Sequence, residues 1–173
     1  ILRPSIVFGP EDNFFNKIAS MARFSPILPL IGRGDTRFQP VYVGDIANAV
    51  SAVAGNAAKA GRTYELGGPN VYTLRELMEM TLGEIDRRRL LLPVPFSIAH
   101  VQAAVAELAF AVPTALNLGP QSPITRDQVM LLRKDNITSG ELPGLDDLGI
   151  KATGLDSVLP TYLQRYRRGV WHS

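Results

Sequence analysis

Two histidines, His100 and His172, and no cysteine are available for chemistry in this chain of 173 residues. A metal centre with two imidazoles would need both, and thiolate nucleophiles, zinc ribbons and thiolate-held iron–sulfur clusters are excluded. The segment Gly32-Arg33-Gly34-Asp35-Thr36-Arg37 has the first two glycines of a Gly-x-Gly-x-x-Gly phosphate loop and then departs from it. Its flanks, a loop followed by Pro40, lack the strand-turn-helix setting that aims backbone amides at a phosphate, so it is expected to form a turn. There is no P-loop, no Gly-x-Ser-x-Gly and no His-Glu-x-x-His. Tyr42, Tyr64, Tyr72 and Tyr162 are followed four residues later by Ile46, Gly68, Glu76 and Tyr166, so no Tyr-x-x-x-Lys pair exists. Such a pair provides a hydroxyl acid whose proton a lysine makes easier to move. No catalytic residue and no metal ligand is assigned.

Two strand-ending segments remain. Arg3-Pro4-x-x-Val7-Phe8-Gly9-Pro10 places a proline early in an apolar strand, where the missing N–H removes one ladder donor and bares backbone to a ligand. Gln39-Pro40-Val41-Tyr42-Val43-Gly44-Asp45-Ile46-Ala47 reads as a strand running into a helix capped by Asp45. In open parallel α/β sheets, ligands sit at the carboxyl ends of strands.

The elements that must hold these segments follow from periodicity and punctuation. Ile1 to Val7 reads as a buried strand already in progress, so the chain is taken as a C-terminal piece of a longer protein. Asp12 is placed to cap a helix to about Phe24, with Phe14, Phe15, Ile18, Met21 and Ala22 on one face. Residues 25–38 read as a Pro/Gly-rich connection around the apolar Ile27 to Ile31. After Asp45 a short Ala-rich helix should turn Ile46, Ala49, Val50 and Val53 inward, and Arg62 to Leu66 should be a strand. Thr73-Leu74-Arg75-Glu76 is a capping box opening a helix to about Thr81 that buries Leu74, Leu77, Met78 and Leu82. Arg89 to Val94 suits a short strand, and Thr125 to Gln128 a second capping box for a helix to about Arg133. Thr138 to Gly149 reads as a loop, and Thr153-x-x-Asp156 should open a last helix that Pro160 either enters early or kinks.

Leu90 to Gly119 carries a single charge, Glu107, and prolines 93, 95 and 113 leave about 17 uninterrupted residues, the short edge of what spans a bilayer. A helix packed on protein, a membrane-surface or partner-facing helix and a transmembrane helix all remain open, with His100, Gln102 and Glu107 weighing against the last. Eighteen basic against 16 acidic side chains leave +2, which demands no nucleic acid. Arginines cluster at 87–89 and at Arg165, Arg167 and Arg168, either as solvated helix ends or as docking groups.

Leu2-Arg3-Pro4 through Gly9-Pro10 resembles the late strand of extended short-chain dehydrogenase/reductases, and Pro40 to Ala47 their next strand-helix joint. Ile124 to Val129, Leu142 to Thr153 and Arg165-Tyr166-Arg167 resemble one atypical branch, that of the accessory subunit of respiratory complex I and its bacterial relatives. The resemblance runs from about Ile1 to Trp171.

The resemblance implies an α/β fold: the C-terminal part of an extended short-chain protein, with late Rossmann-like strands and helices over 1–54 and a small substrate, lid and docking lobe over 55–173. It implies NADP(H) or NAD(H), bound mainly by an N-terminal Rossmann half that carries the phosphate loop, with Pro4, Ser5 and Ile6 lying against the nicotinamide carboxamide. Asp45 would be a structural N-cap. Arg37 resembles the arginine with which sugar-nucleotide epimerases hold substrate phosphate, although it lies eight residues before Asp45 where the epimerase pattern has seven. The expected function is a nucleotide-holding accessory or assembly role; the alternative is an active NAD(P)-dependent oxidoreductase or nucleotide-sugar epimerase. Expected partners are the N-terminal half, complex I subunits and a peripheral membrane contact through the arginine-rich end, without nucleic acid. The expected location is cytoplasmic or peripheral to the inner membrane, on the matrix side in a mitochondrion.

Overall fold

The computed structural model describes residues 1–56, 61–96 and 130–167. Short parallel strands and amphipathic helices alternate in an α/β arrangement. The strands are β1 (Leu2–Pro4), β2 (Val7–Phe8), β3 (Ile27–Ile31), β4 (Arg37–Phe38), β5 (Val41–Tyr42), β6 (Tyr64–Leu66), β7 (Tyr72–Thr73) and β8 (Leu90–Val94). The described helices are α1 (Phe15–Phe24), α2 (Val43–Ala54), α3 (Leu74–Glu84) and α4 (Leu155–Leu163), with 3-10 turns at Asp146–Leu148 and Gln164–Tyr166.

β1 pairs with β6, β2 with β5 and β3 with β8, all parallel, while β4 and β7 run antiparallel. The expected continuous strand from Ile1 to Val7 is thus two short strands. The amide of Ser5 still donates to the Leu66 carbonyl at 2.9 Å, but the Ile6 carbonyl accepts from Val41 at 2.9 Å, so the chain changes ladder partner at that step. Nor is the segment's start buried: Ile1 is 74% exposed, and Arg3 and Pro4 are exposed.

α1 begins as expected from Asp12. Its Oδ1 accepts from the amides of Phe14 at 2.9 Å, Phe15 at 2.6 Å and Asn16 at 3.3 Å, which have no partner inside the helix. α3 has both halves of the capping box: the Glu76 amide donates to Thr73 Oγ1 at 3.2 Å and the Thr73 amide to Glu76 Oε2 at 2.7 Å. The helix runs one turn-fraction further than expected, to Glu84, and buries Leu74, Leu77, Met78, Thr81 and Leu82.

Two clusters of buried apolar side chains organise the fold. The larger joins α1, α3 and α4 over β2, β3 and β4, with Phe8, Phe15, Leu28, Leu30, Leu77, Ile85, Leu155 and Leu159 at its centre. The smaller gathers Val41, Ala49, Tyr64, Leu66, Leu145 and Leu148 beneath α2. Fully burying side chains of this size stabilises by roughly 1.5–3 kcal/mol each.

Four expectations are corrected. Residues 27–31 form a strand rather than a connection, in register with Leu90–Val94 despite Pro29 and Pro93. α2 starts at Val43, so Asp45 lies inside the first turn and is not its N-cap. Val50 points outward, 51% exposed, because the helix turns its Asp45 and Ala49 line to the core. The last helix has Gly154, with no side-chain cap, at its N-terminus, and Pro160 sits mid-helix. The second capping box at Thr125 and the apolar stretch beyond Phe96 lie outside the described residues. Among the described residues no helix is long and apolar enough to cross a membrane.

Candidate functional site

The carboxyl end of β2 opens into a cavity of about 820 Å³, walled by β2 and its Gly9-Pro10 turn, the start of α1, β3, Phe38, α3 and Leu131-Leu132. This is the end of a parallel strand, where α/β folds place ligands. Asp12 stands at its edge with a second duty besides α1: its Oδ2 accepts the Tyr162 hydroxyl at 2.6 Å. Burial, together with the neighbouring Asp12 carboxylate, pushes the Tyr162 phenol well above its usual value. This pair ties the β2 turn to α4.

A five-residue strap, Asp135 to Ser139, crosses the strand ends beside the cavity. The Asp135 carboxylate accepts from the Arg37 amide at 2.9 Å and from its guanidinium Nε at 2.9 Å. The Asn136 carbonyl accepts the Ser5 hydroxyl at 2.6 Å and the Gln39 amide at 3.0 Å. Gln39 Oε1 accepts from the Thr138 amide at 3.0 Å and hydroxyl at 2.8 Å, and Glu65 Oε2 from the Ser139 amide at 2.6 Å and hydroxyl at 2.8 Å. The strap therefore stitches β1, β4, β5 and β6 into one rim. The amide and guanidinium of Arg37 hold Asp135 below the usual carboxylate range. The Ser139 amide and hydroxyl do the same for Glu65.

The expected ligand residues divide. Ile6 lines the cavity. Ser5 is buried with its hydroxyl on the strap, and Pro4 is exposed on β1 outside the cavity wall. Arg37 also lies outside that wall, with its side chain 56% exposed and paired to Asp135 at 2.8 Å. Asp45 is buried and accepts from the Thr153 amide at 2.7 Å and hydroxyl at 2.9 Å, locking α2 to the chain entering α4. The Gly32-x-Gly34 segment is a turn, as expected. Both glycines have positive φ, and a Cβ on either would press into Phe96 or Leu30 at 2.7–2.8 Å, so the loop is packed on side chains rather than opened toward an anion.

The arginines of the two clusters bond mostly within the chain, although Arg88, Arg165 and Arg167 are exposed. Arg89 donates to the Ala22 carbonyl at 2.8 Å, Arg87 to Tyr166 at 3.2 Å and Arg167 to Glu84 at 2.7 Å, satisfying carbonyls at helix ends. Arg165 donates to Asn16 Oδ1 at 2.6 Å. Arg168 lies outside the described residues. Sequence reasoning missed the strap and the Asp12–Tyr162 pair, since their partners lie 74 to 150 residues apart in the chain.

The fit to a nicotinamide nucleotide is therefore one-sided. Apolar walls at the end of β2 suit a flat ring, while the described residues offer no amide-lined phosphate loop. Among the described residues there is also no cluster of metal-ligating side chains.

No protein-family model matches the chain. It is 35% identical over 98% of its length to NADH dehydrogenase [ubiquinone] 1 alpha subcomplex subunit 9, mitochondrial, of Arabidopsis thaliana, covering 42% of that protein. It is 33% identical to the same-named protein of Rattus norvegicus, over all of this chain and 44% of the relative. The chain thus spans less than half the length of these curated relatives. Among solved structures, the dTDP-glucose 4,6-dehydratase of Streptomyces venezuelae, determined with NAD bound, superposes with a TM-score of 0.63 at 17% identity, covering 98% of this chain and 44% of that one.

Proposed function

Since the chain belongs to the family of alpha subcomplex subunit 9 proteins of NADH dehydrogenase, we propose that it forms the C-terminal region of an NAD(P)-binding accessory protein. In this reading the nucleotide is a structural cofactor, NADP(H) or NAD(H), held mainly by an N-terminal half. This chain closes over its nicotinamide end at the carboxyl end of β2, where Ile6 lines the cavity and Pro4 and Ser5 precede it on the chain, and it docks other subunits of the respiratory complex at the periphery of the inner membrane. The observation that carries the proposal is whole-chain similarity to the subunit, with a largely apolar cavity at the carboxyl end of β2 as the place for a ring. Arg37, the sequence's candidate for a sugar-nucleotide phosphate, is engaged by Asp135. That pairing weighs against the nucleotide-sugar epimerase.

The test is to purify the full-length protein carrying this chain, denature it and identify any released nucleotide by chromatography. Near-stoichiometric NADPH or NADH that survives purification is the expected result. A protein that emerges empty overturns the structural-cofactor reading and favours an exchangeable co-substrate.

A further inference from the structure

One end of the molecule gathers apolar side chains that the fold leaves in water and cations that it leaves without an acid. Phe24 closes α1 and is the most exposed large apolar side chain among the described residues. Past Ser25 and Pro26, Ile27 opens β3 beside Leu90 of β8, and both are exposed, as is Leu92 further along the same face. The backbone holds these tips together: the Ser25 amide donates to the Met21 carbonyl at 2.9 Å and the Leu90 amide to the Pro26 carbonyl at 3.1 Å.

The cations stand among the tips. The Arg23 guanidinium lies over the Phe24 ring, 5.8 Å from its centre. Arg89 donates to the Ala22 carbonyl at 2.8 Å and to the Arg88 carbonyl at 3.1 Å, and Arg88 is exposed. None of these three arginines has an ion pair among the described residues. Of the two acids between the end of α3 and β8, Glu84 is paired with Arg167 at 3.7 Å, which leaves Asp86 alone against them.

Exposed apolar groups gathered in this way mark a surface that something covers. Their combination with one sign of charge selects the cover. A fluid leaflet takes up protruding side chains without a matching relief, and its anionic phosphates attract cations held at headgroup level. Arginine suits that level, because its stem packs on apolar neighbours while its planar head meets phosphate oxygens in pairs. A protein partner would need hollows for the tips and carboxylates placed to match the guanidinium groups.

We propose that this end of the molecule rests on an anionic phospholipid surface. Phe24, Ile27, Leu90 and Leu92 enter the headgroup layer, and Arg23, Arg88 and Arg89 meet its phosphates. The inference deepens the accessory-protein reading and rests on it for the presence of a membrane. It also moves the membrane contact away from the C-terminal arginines, since Arg165 is held by Asn16 and Arg167 by Glu84.

The experiment is flotation of the full-length protein with vesicles of phosphatidylcholine alone and of phosphatidylcholine with phosphatidylglycerol at about two to one. Wild type is compared with Phe24→Ser/Leu90→Ser, with Arg23→Gln/Arg88→Gln and with the control Arg165→Gln, each checked for folding by circular dichroism. Wild type should bind the anionic vesicles about tenfold or more tightly than the neutral ones, and release as salt rises. Each double variant should lose about tenfold or more in partition to anionic vesicles, and Arg165→Gln should match wild type. The arginine variant alters exposed groups only, so it carries the test if the serine variant fails to fold. Equal binding to the two kinds of vesicle, double variants that bind like wild type, or an equal loss in Arg165→Gln overturns the proposal. So does lost assembly with other subunits in variants whose vesicle binding is unchanged, which assigns the patch to a protein. Nucleotide released from the same samples is assayed in parallel. An empty protein that binds anionic vesicles through the patch removes the structural-cofactor reading and leaves this one standing, and a loaded protein indifferent to them does the reverse.

Discussion

Asp135 and Glu65 each accept a backbone amide and a side-chain donor, and each carboxylate is held below its ordinary value of 3.8 or 4.5. A carboxyl whose folded pKa is depressed contributes stability above its unfolded pKa and loses it as pH falls through the folded one. The strap should therefore be fully stitched at neutral pH and come loose below about pH 4. In thermal melts followed by circular dichroism, Asp135→Asn combined with Glu65→Gln should lower Tm at pH 7 and flatten its decline between pH 5 and pH 3. The decline that remains belongs to other carboxylates such as Glu76, which Thr73 also holds low. Parallel curves for wild type and double variant would mean that the strap does not titrate. The same logic separates Arg37 from substrate chemistry, because its guanidinium serves the rim and its replacement should resemble loss of Asp135 rather than loss of a ligand.

Strand ends and helix starts meet in this fold through a few close backbone approaches, and the tightest is at Gly68. A Cβ there would run into the Pro40 carbonyl, where β6 ends beside the start of β5. The Gly68 carbonyl also accepts from Gln39 Nε2 at 2.9 Å, so the pair cannot part without loosening Gln39's hold on Thr138. Gly68→Ala should cost on the order of 2 kcal/mol or more, read as a lowered denaturation midpoint with unchanged slope. An alanine variant as stable as wild type would show that β5 and β6 can separate freely. The elements legible in the sequence were those whose signals lie within one turn: Asp12 before α1, the Thr73–Glu76 box before α3, and the strand-helix joint around Val41 to Val43. Those that stayed hidden depend on distant partners. Ile27 to Ile31 contains a proline and becomes a strand only because Leu90 to Val94 supplies its ladder. Asp45 has the residue type of an N-cap, yet its carboxylate is used by Thr153, 108 residues away. Ile6 lies in the wall of the cavity, whose apolar character arises from α1, β3 and α3 meeting at one place, which no local spacing records.

At the scale of the whole molecule, the two-stranded β3–β8 ladder has one face in the larger core; its other face is open at the Ile27 end and packed on Phe96 and Leu132 at the Ile31 end. Leu28 and Leu30 are fully buried on the inner face, while Ile27, Leu90 and Leu92 on the outer face are 44%, 62% and 50% exposed. Phe24, at the end of α1 next to this face, is 84% exposed. Contiguous apolar groups of this kind favour association, because covering them removes the surface whose hydration is costly. Both strands of the ladder also have a second edge with no partner among the described residues, a template for further strand pairing. The 173-residue chain expressed alone should therefore self-associate with rising concentration in sedimentation velocity. Leu90→Lys with Leu92→Lys should move that association to at least severalfold higher concentration, since two desolvated charges oppose burial of the face. Its Tm at low concentration should stay near wild type, because both side chains are already half in water. If the lysine variant associates as readily as wild type, the contact lies elsewhere and the outer face of the ladder is not what drives it. If it is monomeric and also fails to assemble with the other subunits of a respiratory complex while retaining nucleotide, the same face is the docking surface. Cofactor binding at the carboxyl end of β2 and docking at the Ile27–Leu90 end of the ladder would then be separable by substitution, even though Pro29 and Ile31 of the same strand line the cavity.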